Sequence, residues 1–326
     1  MSLQMKIKPG VTIQRPATDG FPALNHFFSE LDLHAVEAAL AAQRPLLVRG
    51  EPGIGKSQLA RAAAVVLKRA YVQFVVDSRT ESSDLLWHYD AVSRLAEAQL
   101  RGACGDVTSR EELHRDLAVR NFVHPRPLWW ALNWDSAAKQ AAKRQHKPPR
   151  QAEGCDPNNG CVVLIDEIDK AESDVPNGLL EALGMGSFHP PGWEDPVMRT
   201  EKVPLVIITT NEERALPPAF VRRCLVLHMG LPREEKPLKQ HLIERANVHF
   251  NLDQKVLNRA AEILIQDRRE AEAARWRPLP GQAEFLDLLR AVLEMAPGNP
   301  TKQKELLNRV ARFTVSKHPD AKRNQP

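Results

Sequence analysis

The sequence has no uninterrupted apolar run that reaches the ~18 residues a membrane-spanning helix needs. Its first residues, MSLQMKIKPGVTIQRPATDG, hold no apolar core followed by a small-residue cleavage site, so no secretory leader is expected there. Cysteine is scarce. Cys104, Cys155, Cys161 and Cys224 are too few and too scattered for a disulfide framework, and a reducing, cytoplasmic setting is expected. A large excess of one charge is missing too: 45 Lys and Arg against 41 Asp and Glu give +4, too little to argue for nucleic acid. One local exception is Lys139, Lys143, Arg144, Lys147 and Arg150, with no acid between Asp135 and Glu153. A solvated loop is the plain reading of such a run, and a footprint for nucleic acid or an acidic partner is the sharper one.

What is present is 326 residues, 43% apolar and 26% charged, enough for a globular protein of two domains. Short runs rich in β-branched residues mark the first two thirds, at 45–50, 71–77, 161–167, 204–211 and 224–229. They are continuously apolar rather than alternating, which predicts strands buried on both faces of a parallel sheet. Helical stretches such as SQLARAAAVVLKRA, 57–70, separate them, so residues 1–231 read as an α/β domain with right-handed crossovers. After Pro232 two helical stripes follow, Leu257 to Ile265 and Phe285 to Leu293. Residues 232–316 therefore read as a helical domain and 317–326 as a flexible polar tail. Between about 85 and 155 the rhythm breaks and a helical insertion with no clear strand is expected. Within it, PLWWALNWDSAAKQAAK looks like one helix with Trp130 and Trp134 on one face, more a packing cluster than a base-stacking platform.

The run Gly50, Glu51, Pro52, Gly53, Ile54, Gly55, Lys56, Ser57 fits G-x-x-x-x-G-K-[ST], placed between a predicted strand and a predicted helix, and Gln58, which follows it, is expected to bind the nucleotide with it. Glycines there let backbone N–H groups wrap a phosphate. Lys56 is expected at the β- and γ-phosphates of a bound nucleotide and the Ser57 hydroxyl on Mg²⁺. The helix that follows aims its positive end at the same anion.

Downstream, VVLIDEIDKA ends an apolar strand in Asp166 and Glu167, at the sheet end where open α/β folds bind ligands. Asp166 is the expected Mg²⁺ ligand and Glu167 the expected base for an attacking water, whereas Asp169 suits helix capping. Asn211 closes PLVIITTN, where a neutral amide can bind the γ-phosphate or the lytic water. In LPPAFVRRC, Arg222 and Arg223 lie between a short helix and a strand, where an arginine can reach a neighbouring subunit's phosphate. Cys155 and Cys161 flank the turn sequence DPNNG, and their spacing is not that of a zinc site.

With these elements in this order, the sequence resembles the AAA+ ATPase superfamily, in particular its MoxR-type branch. GEPGIGKS, SRTESSDLLWHYD, RPLWWALN, VVLIDEIDKA and IITTNEERALPPAFVRRC carry the resemblance, over roughly residues 20–230. It implies a P-loop core with a helical lid, Mg-ATP as substrate, and a homo-oligomeric ring, commonly a hexamer. Arg223 is then the finger supplied in trans, with Arg222 as second choice. It also implies that 85–125 and a hairpin at 186–204 face a pore or client, and a protein partner, such as one of von Willebrand A type, that is remodelled or activated. The lid sensor arginine of such proteins has no match in RPLPGQAEFLDLLRAV, where Gln282 and Glu284 stand; Arg275 or Arg277 is a possible substitute. A nucleic-acid-dependent motor is the rival reading.

Overall fold

The computed structural model describes residues 10–17, 23–103, 109–277 and 279–315. Cys104 and the tail expected at 317–326 lie outside the described residues. The chain opens with an antiparallel ribbon of β1 (Thr12–Arg15) and β2 (Leu24–Phe27). Helix α1 (Glu30–Ala42) starts at a capping box in which the Ser29 hydroxyl accepts from the Asp32 N–H and the Asp32 carboxylate accepts from the Ser29 N–H. Strand β3 (Leu46–Gly50), α2 (Lys56–Leu67) and β4 (Arg69–Val75) follow.

The segment expected as an insertion holds β5 (Trp87–Tyr89), α3 (Ala91–Ala103), α4 (Arg110–Asp116), β6 (Val123–Pro125), α5 (Pro127–Leu132) and α6 (Trp134–Ala142). The chain re-enters the sheet with β7 (Asp156–Asp166), then runs through α7 (Asp174–Met185) and a hairpin of β8 (Ser187–Phe188) and β9 (Val197–Met198). It continues with β10 (Leu205–Thr210), α8 (Pro218–Arg223) and β11 (Leu225–Met229). Four helices close the described chain: α9 (Glu235–His249), α10 (Gln254–Ala273), α11 (Gln282–Met295) and α12 (Pro300–Thr314).

The main sheet has the order β11-β3-β10-β7-β4 with every pair parallel. Alternate residues face opposite layers. Leu46, Val48, Val162, Leu164, Leu205 and Ile207 pack with α1 and α2, whereas Leu47, Val163, Ile165, Val206 and Ile208 join the core under α5 and α7. Both faces are covered, which is why the strands read as continuous apolar runs. Strand β3 lies beside β10 and β11 rather than β4: the connection leaving β3 runs toward β4 at one edge, and the connection leaving β10 runs the other way, past β3 to β11, so these two adjacent strands form a switch point. The crevice at such a switch point, beyond the strands' carboxyl ends, is where ligands of these sheets bind. The four C-terminal helices bury their stripes in a core of their own around Leu257, Leu264, Phe285, Leu289 and Leu307. The architecture is an α/β P-loop core with a C-terminal helical lid. No helix among the described residues is long and apolar enough to cross a membrane.

Three local expectations are corrected. The insertion does contain strands, since β5 and β6 pair antiparallel, although three residues each give little periodicity to read. PLWWALNWDSAAKQAAK is two helices rather than one: Asn133 leaves helical geometry and its side chain caps α6 through the Ser136 N–H at 3.0 Å. Trp130 and Trp134 thus sit on different helices and meet edge to face, 5.0 Å between ring centroids. DPNNG lies within the start of β7; Asp156 accepts from the Asn158 N–H there, and the register with β4 shifts between Arg69 and Ala70.

Candidate nucleotide site

The ends of β3, β7 and β10 bring the motif residues to one place. Gly50 ends β3, and a Cβ on it would stand 2.1 Å from the Met229 carbonyl oxygen of β11, so only glycine fits the strand exit. Gly53 has φ +75, and a Cβ there would meet Ala283 of the lid at 2.3 Å. The loop is therefore held between β11 and the first turn of α11. Pro52 lies in that loop, Ile54 is buried beneath it, and Gly55 and Gln58 flank Lys56 and Ser57 at the start of α2.

Lys56 is nearly buried, and its ammonium donates to the Gly50 and Glu51 carbonyls at 2.7 and 3.0 Å and to Asn211 Oδ1 at 2.7 Å. Burial lowers its pKa, opposed by Asp166, Asp169, Glu167 and Glu212. The cation is thus kept in place by neutral oxygens and a ring of acids. The Ser57 hydroxyl donates to both oxygens of Asp166, at 3.0 and 2.9 Å. Thr209 of β10 adds a hydroxyl that donates to Asp166 Oδ1 and accepts from the Glu167 N–H at 2.9 Å. Clustered hydroxyl and carboxylate oxygens are a donor set for a hard divalent cation. Among the described residues no three His, Cys, Asp or Glu side chains are grouped to cage a metal alone.

Glu167 has φ 61, which turns its side chain away from the strand line. Its Oε2 accepts from Lys170 at 2.6 Å, and Asn211 Nδ2 approaches Oε1 at 3.4 Å. The same hydrogen bond raises the pKa of Lys170. Asn211 therefore joins Lys56 on one side of its amide to Glu167 on the other. Asp169, expected to cap a helix, is buried and instead accepts from the Asn211 and Glu213 N–H groups at 3.4 and 2.9 Å, which fixes the turn after β10.

The lid reaches the loop through a residue that the sequence did not single out. Arg268 of α10 donates from both terminal nitrogens to the Glu51 carboxylate, at 2.8 and 3.1 Å, and to the Pro280 carbonyl at 2.8 Å. Arg275 and Arg277 are both exposed. A cavity of about 230 Å³ opens beside the loop between β2, α2 and the lid, lined by His26, Gly53, Gln58, Arg245, Gln282 and Asp287 among others. His26 is buried, its Nε2 has no partner among the described residues, and burial, helped by Arg245, pushes its pKa down to about 3. It is a neutral imidazole at the wall of the cavity.

Arg222 and Arg223 stay apart from these groups. They end α8 with exposed side chains, and their carbonyls accept from the Arg44 guanidinium. Neither makes an ion pair with Asp166 or Glu167 of its own chain. In the insertion, the basic run is partly turned inward: Arg144 donates to Glu97 at 2.7 Å and stacks over Phe122, and Lys143 lies over Trp193. Trp129 is fully buried and Trp130 is 5% exposed, packing rather than platform.

Thr209, Lys170, Arg268 and His26 were missed. Lys170 follows Glu167 at i+3, so a sequence signal existed. Arg268 and Glu51 are 217 positions apart, and no spacing could have joined them.

Residues 45–246 match the family described as the AAA domain (dynein-related subfamily). No curated protein matches the sequence significantly. Among solved structures, that of an ATPase candidate from Cytophaga hutchinsonii is similar over 85% of this chain and 78% of its own, at 12% identity and a TM-score of 0.37. The family match spans well over half of the 326 residues. The chain belongs to the AAA domain (dynein-related) family, and it is an AAA+ ATPase.

Proposed function

We propose that this ATPase is of the MoxR type, a homo-oligomeric ring, six-membered by expectation, that hydrolyses Mg-ATP to remodel or activate a protein partner. The observation that carries the reading is the convergence of Lys56, Ser57, Asp166, Glu167 and Asn211 at the carboxyl ends of three adjacent strands. Lys56 would exchange its carbonyl contacts for the β- and γ-phosphates of ATP. Ser57 and Asp166 would hold Mg²⁺, which supplies charge neutralisation to the polyphosphate. Glu167 accepts the proton of the attacking water through Oε1, while Lys170 fixes Oε2. Asn211 orients Glu167 against Lys56 and adds no negative charge. Arg223, whose guanidinium is exposed and has no intrachain partner among the described residues, is suited to approach the γ-phosphate of the next subunit, with Arg222 as second choice. Residues 1–231 serve as the catalytic domain, 232–316 as a lid, and the Arg268–Glu51 pair ties the lid to the phosphate loop.

A protein partner is favoured by the insertion. Helix α3 turns Val92, Leu95 and Leu100 to solvent, 79%, 61% and 66% exposed, while Arg94, Glu97 and Arg101 on its polar side bind the body of the protein. An outward apolar stripe of this kind is a contact surface for another protein, a von Willebrand A-type partner among the candidates. The rival nucleic-acid reading loses support, because Trp129 and Trp130 are buried, the half-buried Trp134 packs on Trp130, and Arg144 is engaged.

The test is Glu167→Gln. The variant should bind ATP as the parent does and hydrolyse it at least about 100-fold more slowly. Unchanged turnover would remove Glu167 from its role.

A further inference from the structure

The two arginines offered to a neighbouring subunit stand at the wrong end of the sheet for their own nucleotide. Arg223 comes just before Cys224 and β11, whose first residue, Leu225, lies beside Leu46 at the amino-terminal end of β3. The phosphate loop leaves from Gly50, which lies beside Met229 at the other end of the same two strands. Four steps along β11, roughly 13 Å, separate the two ends. A long side chain acts at a neighbour's phosphate only when its backbone holds it in place, since small misplacements are costly to rate.

Arg44 provides that hold. Its Nε donates to the Arg223 carbonyl at 3.0 Å, and its Nη2 donates to the Arg222 carbonyl. These two carbonyls belong to the peptide units that flank the Arg223 Cα on either side. Peptide units are planar, so fixing both leaves the Arg223 Cα–Cβ bond little choice of direction. The fully buried Phe220 anchors α8 from inside, and the buried Cys224 anchors the chain just after it. Arg44 is itself held by the end of α1, where Gln43 has φ 51. The Gln43 N–H donates to the Leu40 carbonyl at 3.3 Å and the Arg44 N–H to the Ala39 carbonyl at 3.2 Å, the two bonds of a Schellman motif. One residue further on, the Pro45 carbonyl accepts from the Leu225 N–H at 2.8 Å. The donor and the segment it grips are thus tied together on both sides of the contact.

We infer that Arg44 is a positioning residue for hydrolysis in trans: by bridging the peptide units on either side of Arg223, it aims the Arg223 guanidinium at the γ-phosphate bound by the next subunit. The inference rests on the reading of Arg223 as the residue supplied in trans, and the two can fail separately.

Steady-state ATP hydrolysis and ATP affinity of full-chain variants test this. Arg44→Ala should lower kcat at least about tenfold and leave the Kd for Mg-ATP within about twofold, since it removes no contact to bound nucleotide. Arg44→Lys keeps the charge without the fork of donors and should restore only part of the loss. Mixing shows which side of the interface Arg44 serves. An equal mixture of Arg44→Ala with Glu167→Gln should turn over faster than the two alone, because some interfaces then join an intact Glu167 to an intact Arg44 and Arg223. A mixture of Arg44→Ala with Arg223→Ala should gain nothing, because every interface lacks one of these two arginines. If Arg44→Ala fails to fold, the same two mixtures are made with Arg44→Lys. Parent turnover in Arg44→Ala beside a slow Arg223→Ala overturns the inference and spares the reading beneath it, whereas parent turnover in Arg223→Ala overturns both. A loss in Arg44→Ala that Glu167→Gln does not complement would place its action within its own subunit, and also overturns the inference.

Discussion

The nucleotide site and the insertion both concentrate charged and aromatic groups, but they use them in opposite ways. At the site, polar atoms are directed at one another across a gap: Lys56 to Asn211, Asn211 to Glu167, Ser57 to Asp166. Their geometry comes from three strand ends. In the insertion the same kinds of residue are structural. Trp129 packs edge to face on Phe188 and Trp193, at 5.4 and 5.3 Å, which ties the β8–β9 hairpin to α5. Asn133 reaches the Met198 carbonyl at 3.0 Å, and Glu97 collects Arg101 and Arg144. Charge at a strand end is available for chemistry, whereas charge inside a packed insertion is consumed by the fold.

That contrast predicts a separation of stability from activity. The largest effect belongs to the insertion: Trp129→Ala should cost about 3–5 kcal/mol in urea unfolding, the usual toll of an aromatic-to-alanine cavity. The folded fraction should keep its affinity for ATP. A loss of affinity in proportion to the loss of stability would mean the two regions are one cooperative unit. Next comes Asn211→Ala, for which turnover should fall about 100-fold, the effect of losing one preorganised donor. Its unfolding midpoint should stay close to that of the parent.

The third prediction concerns His26. Its folded-state pKa of about 3 lies below the ordinary 6.5, so between those values the unfolded chain takes up a proton that the folded chain refuses. The stability is full above pH 6.5 and is lost as pH falls toward 3, by up to about 1.4 kcal/mol per pH unit. His26→Gln should flatten the acid limb of stability against pH by that slope. An unchanged limb would place the acid sensitivity elsewhere. The smallest effect is the Arg268–Glu51 pair. Glu51 is 40% exposed, so solvent screening leaves a coupling of only about 0.5–1 kcal/mol in a double-mutant cycle. If the pair serves the lid, Arg268→Ala should change the KM for ATP more than the unfolding free energy.

Much of this was legible in the sequence because strand and loop motifs are local. The five sheet strands could be read from continuous apolar runs, and GEPGIGKS, Asp166-Glu167 and Asn211 mark where three of them end. Less legible was whatever depends on distant partners. Thr209 reads as an ordinary β-branched strand residue until Asp166 is beside it. Arg268 is one of several arginines on α10 until the lid folds onto Glu51. The break at Asn133 was hidden because its flanks are both helical, and only the cap to Ser136 reveals it.

The most direct test of the account is to mix two inactive variants, Glu167→Gln and Arg223→Ala, and measure steady-state ATP hydrolysis. In a head-to-tail ring, some interfaces would pair an intact Glu167 with an intact Arg223 from the neighbour, about a quarter of them at equal mixing. Recovery of roughly that fraction of the parent rate is the predicted result. A mixture no more active than its two components would contradict a site completed in trans.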